Sequence, residues 1–162
     1  MGRGVLLDYC RYAEANNIRP TYYDNFKITY DDLKKVAASQ DIDIRPARDG
    51  GDIEIGDILL VRSGFLKHSY SLTATEKELL HLRPAEFGPN DGQRYIGLEQ
   101  SEEMLDFLHD SYFSAVAGDQ PAFEAWPSHK GRSLQQVDVV TCLHFWQTTT
   151  CMKNYLRFGD VR

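Results

Sequence analysis

The sequence predicts an α/β or α+β domain, and three observations carry that expectation. Short apolar runs with strand character alternate with segments whose apolar residues recur at helical spacing. Three of the helical segments follow side chains that cap helix N-termini. The chain has 162 residues, a length that suits one domain of ~100–200 residues. Apolar residues make up 42% and charged residues 26%. That is ordinary globular usage, and it excludes disorder, collagen or a disulfide scaffold for the whole chain.

The elements follow in order. Val5-Leu-Leu7, after Gly2-Arg-Gly4, reads as the end of a buried strand, and Asp8 closes it. Tyr9, Tyr12, Ala13 and Asn16 then fall on a helical spacing, with Asn16-Asn17 as a stop. Thr29-Tyr-Asp-Asp32 is a variant capping box that opens a helix. Leu33, Val36 and Ala37 are its apolar face, and its end falls near residues 39–41. Ile42 and Ile44 alternate with charge, a half-exposed strand signal that Pro46 breaks. Asp49-Gly-Gly-Asp52 is turn chemistry, and Ile53 and Ile55 alternate after it.

Ile58-Leu-Leu-Val61 is continuously apolar, which suits a strand covered on both faces. Arg62-Ser63-Gly64-Phe65 follows at once, where α/β folds often place ligands. Thr73-Ala-Thr-Glu76 is a second capping box, for a helix reaching Leu82. Residues 83–93 hold two prolines and two glycines and read as a loop. Tyr95–Leu98 is a short strand. Ser101 caps a helix with Glu102 and Glu103 in its first turn and Met104, Leu105 and Leu108 on its buried side. Tyr112–Ala117 is a strand of small residues ending in Gly118-Asp119, and a polar loop follows to Arg132.

The expected organisation is a domain over residues 1–136 and a divergent tail over 137–162. No period of 3.6 or 2 survives past Leu143. The tail holds Cys142 and Cys151, and three basic residues against two acidic ones. The net charge of the whole chain is −6. Such a chain lacks the basic field of a nucleic-acid binder. No apolar run nears the ~18–20 residues of a membrane span, and no signal peptide is expected. The third cysteine is Cys10, and an odd set at irregular spacing fits a reducing, cytoplasmic setting. No two of the five histidines lie within five residues of each other. A local metal motif needs closer pairs.

Few residues carry chemistry on their own. Arg62 and Ser63 could hold a substrate through a guanidinium fork and a hydroxyl, or could be a solvated strand end. Asp119 and Glu124 could be paired carboxylates for acid–base work or metal binding, or could cap turns. No phosphate loop and no nucleophile elbow is present.

Gly2-Arg-Gly-Val-Leu-Leu-Asp8 and Gly56-Asp-Ile-Leu-Leu-Val-Arg-Ser-Gly64 resemble strand motifs of the cyclase family. That family includes bacterial kynurenine formamidases and isatin hydrolases. Gly97-Leu-Glu-Gln-Ser-Glu-Glu-Met-Leu105 continues the resemblance. Ala115-Val-Ala-Gly-Asp119 and Pro121-Ala-Phe-Glu-Ala-Trp-Pro127 look especially like its fungal branch. The similarity covers about residues 2–135. It implies an α/β, cyclase-like swivelling fold, with a mixed sheet flanked by helices and incomplete at both ends. It also implies a metal-dependent hydrolase of amide C–N bonds, acting on formyl-anilines or cyclic amides in tryptophan catabolism. Zinc or manganese would be the cofactor.

The resemblance also sets out what this chain lacks. The family's His-x-Gly-Thr-His-x-Asp-x-x-x-His motif precedes the Gly-Arg-Gly strand, and Gln135 stands where a further ligand His is expected. The chain is therefore expected not to bind the metal, with Arg62, Ser63, Asp119 and Glu124 lining what remains of a substrate pocket. A second reading is a non-catalytic binding or homo-oligomerisation module, with the Val5–Leu7 edge as its pairing site. A third is a gene product with a shifted start and tail.

Overall fold

A computed structural model of the chain describes residues 2–81 and 94–127. In chain order the elements are β1 (Gly4–Leu7), α1 (Tyr9–Ala15), β2 (Lys27–Ile28) and α2 (Tyr30–Ser39). Then come β3 (Ile58–Val61), α3 (Phe65–Ser71), α4 (Ala74–His81), β4 (Gly97–Leu98), α5 (Glu102–Asp110) and β5 (Ala115–Gly118). The α/β class is therefore as the sequence predicts. β1, β3 and β5 form a parallel sheet in that order, and β2 and β4 form a smaller parallel pair. A mixed sheet is not found among the described residues, where antiparallel pairing is an isolated Tyr95–Trp126 bridge.

Side-chain alternation decides where the core sits. Val5 and Leu7, Leu59 and Val61, and Val116 share one face of the larger sheet, and all are buried. Onto them pack Ala13 of α1, Leu33, Val36 and Ala37 of α2, and Met104, Phe107 and Leu108 of α5. The opposite face carries Leu6, Ile58, Leu60, Ala115 and Ala117. There Leu6 is 45% and Leu60 38% exposed. β3 is thus covered on one face among the described residues, not on both as its continuous apolar run suggests.

Local sequence explains most helix ends. Asp8 caps α1 by accepting from Arg11 N at 2.9 Å. Asn17 in the left-handed region ends it. At α2 both halves of the capping box form. Asp32 N donates to Thr29 Oγ1 at 3.1 Å and Thr29 N to Asp32 Oδ2 at 3.1 Å. Thr73 and Glu76 make the same exchange before α4. Ser101 caps α5 by accepting from Met104 N. The expected strand at Ile42–Ile44 does not form. Asp43 instead bonds Arg45 through backbone and side chain, and its own N–H goes to Asp52 Oδ2. Backbone bonds from Asp52 N to Asp43 O at 2.9 Å and from Ile53 N to Arg45 O at 3.2 Å lead only to an isolated Pro46–Ile53 bridge, and Ile44 and Ile53 are buried. The residue 112 end of the last strand also retreats. Tyr112 is left-handed, with φ 52°, and pairing starts at Ala115. The expected loop at residues 83–93 and the tail at 137–162 lie outside the described residues.

Arg3 and Asp57 fasten the start of β1 to the turn before β3. Arg3 Nε and Nη2 donate to the Asp57 carboxylate at 3.0 and 2.7 Å, and Glu54 N donates to it at 2.8 Å. Asp57 is buried. The Arg3 hydrogen bond holds its carboxyl below the usual carboxylate range. A carboxylate depressed on folding stabilises the protein above its unfolded value of ~3.9. That stability is lost as pH falls through the depressed folded value. Asp57→Asn should cost about 1–3 kcal/mol at neutral pH, read from the urea midpoint. It should also flatten the loss of stability below about pH 4. An unchanged acid profile would contradict the role given to this pair.

Candidate functional site

Parallel strands deliver the residues that follow them to one edge of a sheet, where open α/β folds bind ligands. Here Leu7, Val61 and Gly118 stand in register at that edge. The residues just beyond them are Asp8, Arg62-Ser63 and Asp119. The sheet therefore gathers two carboxylates, one guanidinium and one hydroxyl from three distant stretches of sequence.

Asp8 has two tasks. Its Oδ1 caps α1, and its Oδ2 pairs with Arg62 Nη1 at 2.9 Å. This hydrogen bond raises the Arg62 guanidinium further above its ordinary value, so the cation is permanent. The Arg62 carbonyl accepts from Cys10 N at 3.0 Å, which locks the start of α1 against the end of β3. The Arg62 side chain is 43% exposed.

Asp119 is bound more tightly. Its Oδ1 accepts from Ser63 N at 2.6 Å and from Ser63 Oγ at 2.7 Å. Its Oδ2 accepts from Gly64 N at 3.0 Å and Leu66 N at 3.3 Å. The carboxylate thus satisfies the first donors of α3, which carries no cap of its own. Ser63 is fully buried, and its hydroxyl also accepts from Phe65 N at 3.2 Å. Gly64 is required between them. Its φ is +92°, and a Cβ there would lie 2.7 Å from Cys10 Sγ and 3.2 Å from the Tyr22 hydroxyl.

The rim is built from α1, α3 and the segment between α1 and β2. Cys10 is buried, and burial, reinforced by the Glu14 charge, pushes its thiol up. Burial raises the Tyr22 phenol as well, with the Cys10 and Glu14 charges adding to it. Both stay protonated at neutral pH, and a protonated buried thiol is a poor nucleophile. His68 stacks on Tyr22 with ring centroids 4.5 Å apart. Lys67 pairs with Glu14 across the rim.

Of the residues expected from sequence, the fold brings Arg62, Ser63 and Asp119 together. Glu124 is fully buried at the smaller sheet, where it bridges Leu98 and closes over Gly97. Gln135 lies outside the described residues. Asp8, Cys10, Tyr22 and His68 complete the site without having been singled out. Only Asp8 carried a signal, as a charge directly after an apolar run. Among the described residues, no three His, Cys, Asp or Glu side chains come together to hold a metal ion. The donors present there do not fit the divalent metal that the resemblance implies.

No family profile matches the chain, and no curated protein matches it. A solved structure named a novel cyclase is similar, with a TM-score of 0.53 and 24% identity. The likeness covers 78% of this chain and 34% of that one, and it supports a cyclase-like α/β fold. The chain thus spans about a third of the length of the structure it matches. No helix among the described residues is long and apolar enough to cross a membrane.

Asp119→Ala should lower stability by about 2–3 kcal/mol, through lost capping bonds and a stranded Ser63 hydroxyl. Asp119→Asn, which keeps one acceptor oxygen, should lose about half of that. Urea denaturation of the two variants checks the ranking. Equal losses would contradict the capping role.

Proposed function

We propose that this cyclase-like chain carries the substrate-facing edge of an amide C–N hydrolase site of the arylformamidase type and does not itself turn over substrate. Its substrates would be formyl-anilines or cyclic amides, and its setting cytoplasmic. The observation that carries this reading is the division of labour at the strand ends. Asp8 and Asp119 are occupied by the protein's own donors. The Arg62 guanidinium, half-buried and held by Asp8 through Nη1, would offer its remaining donors to a ligand carboxylate or carbonyl oxygen.

Each residue then has a stated part. Arg62 binds, and Asp8 orients it. Ser63 and Asp119 fix the turn on which Arg62 sits. The Ser63 hydroxyl has both a donor and an acceptor role filled, so it is a positioning group and not a nucleophile. Amide hydrolysis needs an activated water or nucleophile. The protonated Cys10 and Tyr22 do not supply one. In relatives, zinc or manganese would supply it. Among the described residues, no group of His, Cys, Asp or Glu gathers that would hold such an ion.

A second reading is a non-catalytic binding or oligomerisation module of the same fold. The apolar sheet face bearing Leu6 and Leu60 favours it.

The test is metal analysis together with a formamidase assay on the purified chain. The expected result is substoichiometric zinc and manganese, with no turnover of a formyl-aniline above background. One tightly held metal per chain with turnover would overturn the reading. Arg62→Gln should weaken binding of a carboxylate-bearing formyl-aniline about tenfold, by calorimetry. Unchanged affinity would remove Arg62 from the site.

A further inference from the structure

β1 is an edge strand among the described residues. Edge strands present unpaired backbone groups that invite another chain. Ile58 N donates to Arg3 O at 2.8 Å, and Arg62 N donates to Leu7 O at 3.0 Å. Odd-numbered residues along β1 therefore turn their backbone groups toward β3, and Gly4, Leu6 and Asp8 turn theirs outward. Two of those outward groups are already taken. Gln40 Nε2 donates to the Leu6 carbonyl at 2.8 Å, and Gln40 Oε1 accepts the Asp8 N–H at 2.8 Å. One residue of a parallel neighbour strand would take the same pair of groups, a carbonyl and the N–H two residues on.

We infer that the Gln40 side chain stands in for a fourth strand and keeps the β1 edge from pairing with another polypeptide. Its position is fixed from behind. Gln40 caps the C-terminus of α2, and its own N–H goes to Ala37 O at 2.9 Å. The carboxamide therefore reaches the strand from a helix already anchored in the core by Leu33, Val36 and Ala37. Closure matters here because the neighbouring sheet face is apolar, with Leu6 45% and Leu60 38% exposed. An open edge beside an exposed apolar face is a site of self-association. Gln suits the task because its amide both donates and accepts. Asn is one carbon shorter, and Glu cannot donate. The inference stands whether or not the chain turns over an amide.

Gln40→Met keeps the length and helix propensity and removes both hydrogen bonds. It should speed exchange of the Asp8 amide about tenfold. It should also cause concentration-dependent association beyond that of the unmodified chain, read by sedimentation. Gln40→Glu keeps the acceptor for Asp8 N–H and places a charge on the edge, which itself blocks pairing. It should match the unmodified chain in association and retain a protected Asp8 amide. A Met variant that associates no more than the unmodified chain overturns the inference, as does a Glu variant that associates like the Met one. If the Met variant does not fold, exchange in the unmodified protein decides. An Asp8 amide about tenfold slower than that of Leu6 supports the role, and equal rates overturn it.

Discussion

The carboxylate of Asp119 is the interaction on which the site depends. It sits one residue past β5 and accepts from Ser63 and Gly64, just past β3, and from Leu66 inside α3. Two strand ends and one helix start are thereby tied to a single side chain. Gly64 offers no side chain to cap α3, so the Asp119 carboxylate shares that task with the Ser63 hydroxyl. Gly64 in turn presses against Cys10 and Tyr22. The thiol and the phenol therefore lie directly against the turn that this carboxylate holds, with the His68 ring stacked on Tyr22.

A consequence is that the acidic groups of this edge are structural. Asp8 is shared between a helix cap and Arg62, and Asp119 between the Ser63 turn and the first donors of α3. At this edge Arg62 pairs with Asp8 and keeps a side chain 43% exposed, and Lys67 on the rim pairs with Glu14. Charge of this kind favours recognition over bond-breaking. That division is why binding and turnover separate in the reading given to this cyclase-like chain.

Much of the fold was legible in the sequence wherever structure is made by neighbours. The capping boxes at Thr29 and Thr73 and the Ser101 cap act over three residues, and all three helices start as expected. The apolar runs of β1 and β3 needed only alternation and length. α3 was not legible, because its capping carboxylate lies more than fifty residues away in sequence. β2 is two residues long and exists only because β4 lies beside it. The strand signal at Ile42 and Ile44 was genuine alternation, but Asp43 and Asp52 drew the backbone into local bonds. At the site, Arg62, Ser63 and Asp119 could be chosen because polar residues followed apolar strands. Their mutual contact could not be read from spacing. Glu124 was read together with Asp119, and its place beside Leu98 and Gly97 depends on a bridge to the smaller sheet that no local pattern announces. The two Gln40 hydrogen bonds along β1, to the Leu6 carbonyl and the Asp8 N–H, come from a helix end, and no strand pattern records them.

The most direct test of the account is hydrogen exchange at the backbone amides of Ser63, Gly64 and Leu66, followed by nuclear magnetic resonance. If one carboxylate holds all three, Asp119→Ala speeds their exchange together by about tenfold or more, and amides elsewhere in the core keep their rates. Three amides that keep their protection in Asp119→Ala, or that lose it independently, would contradict the claim that Asp119 assembles the site.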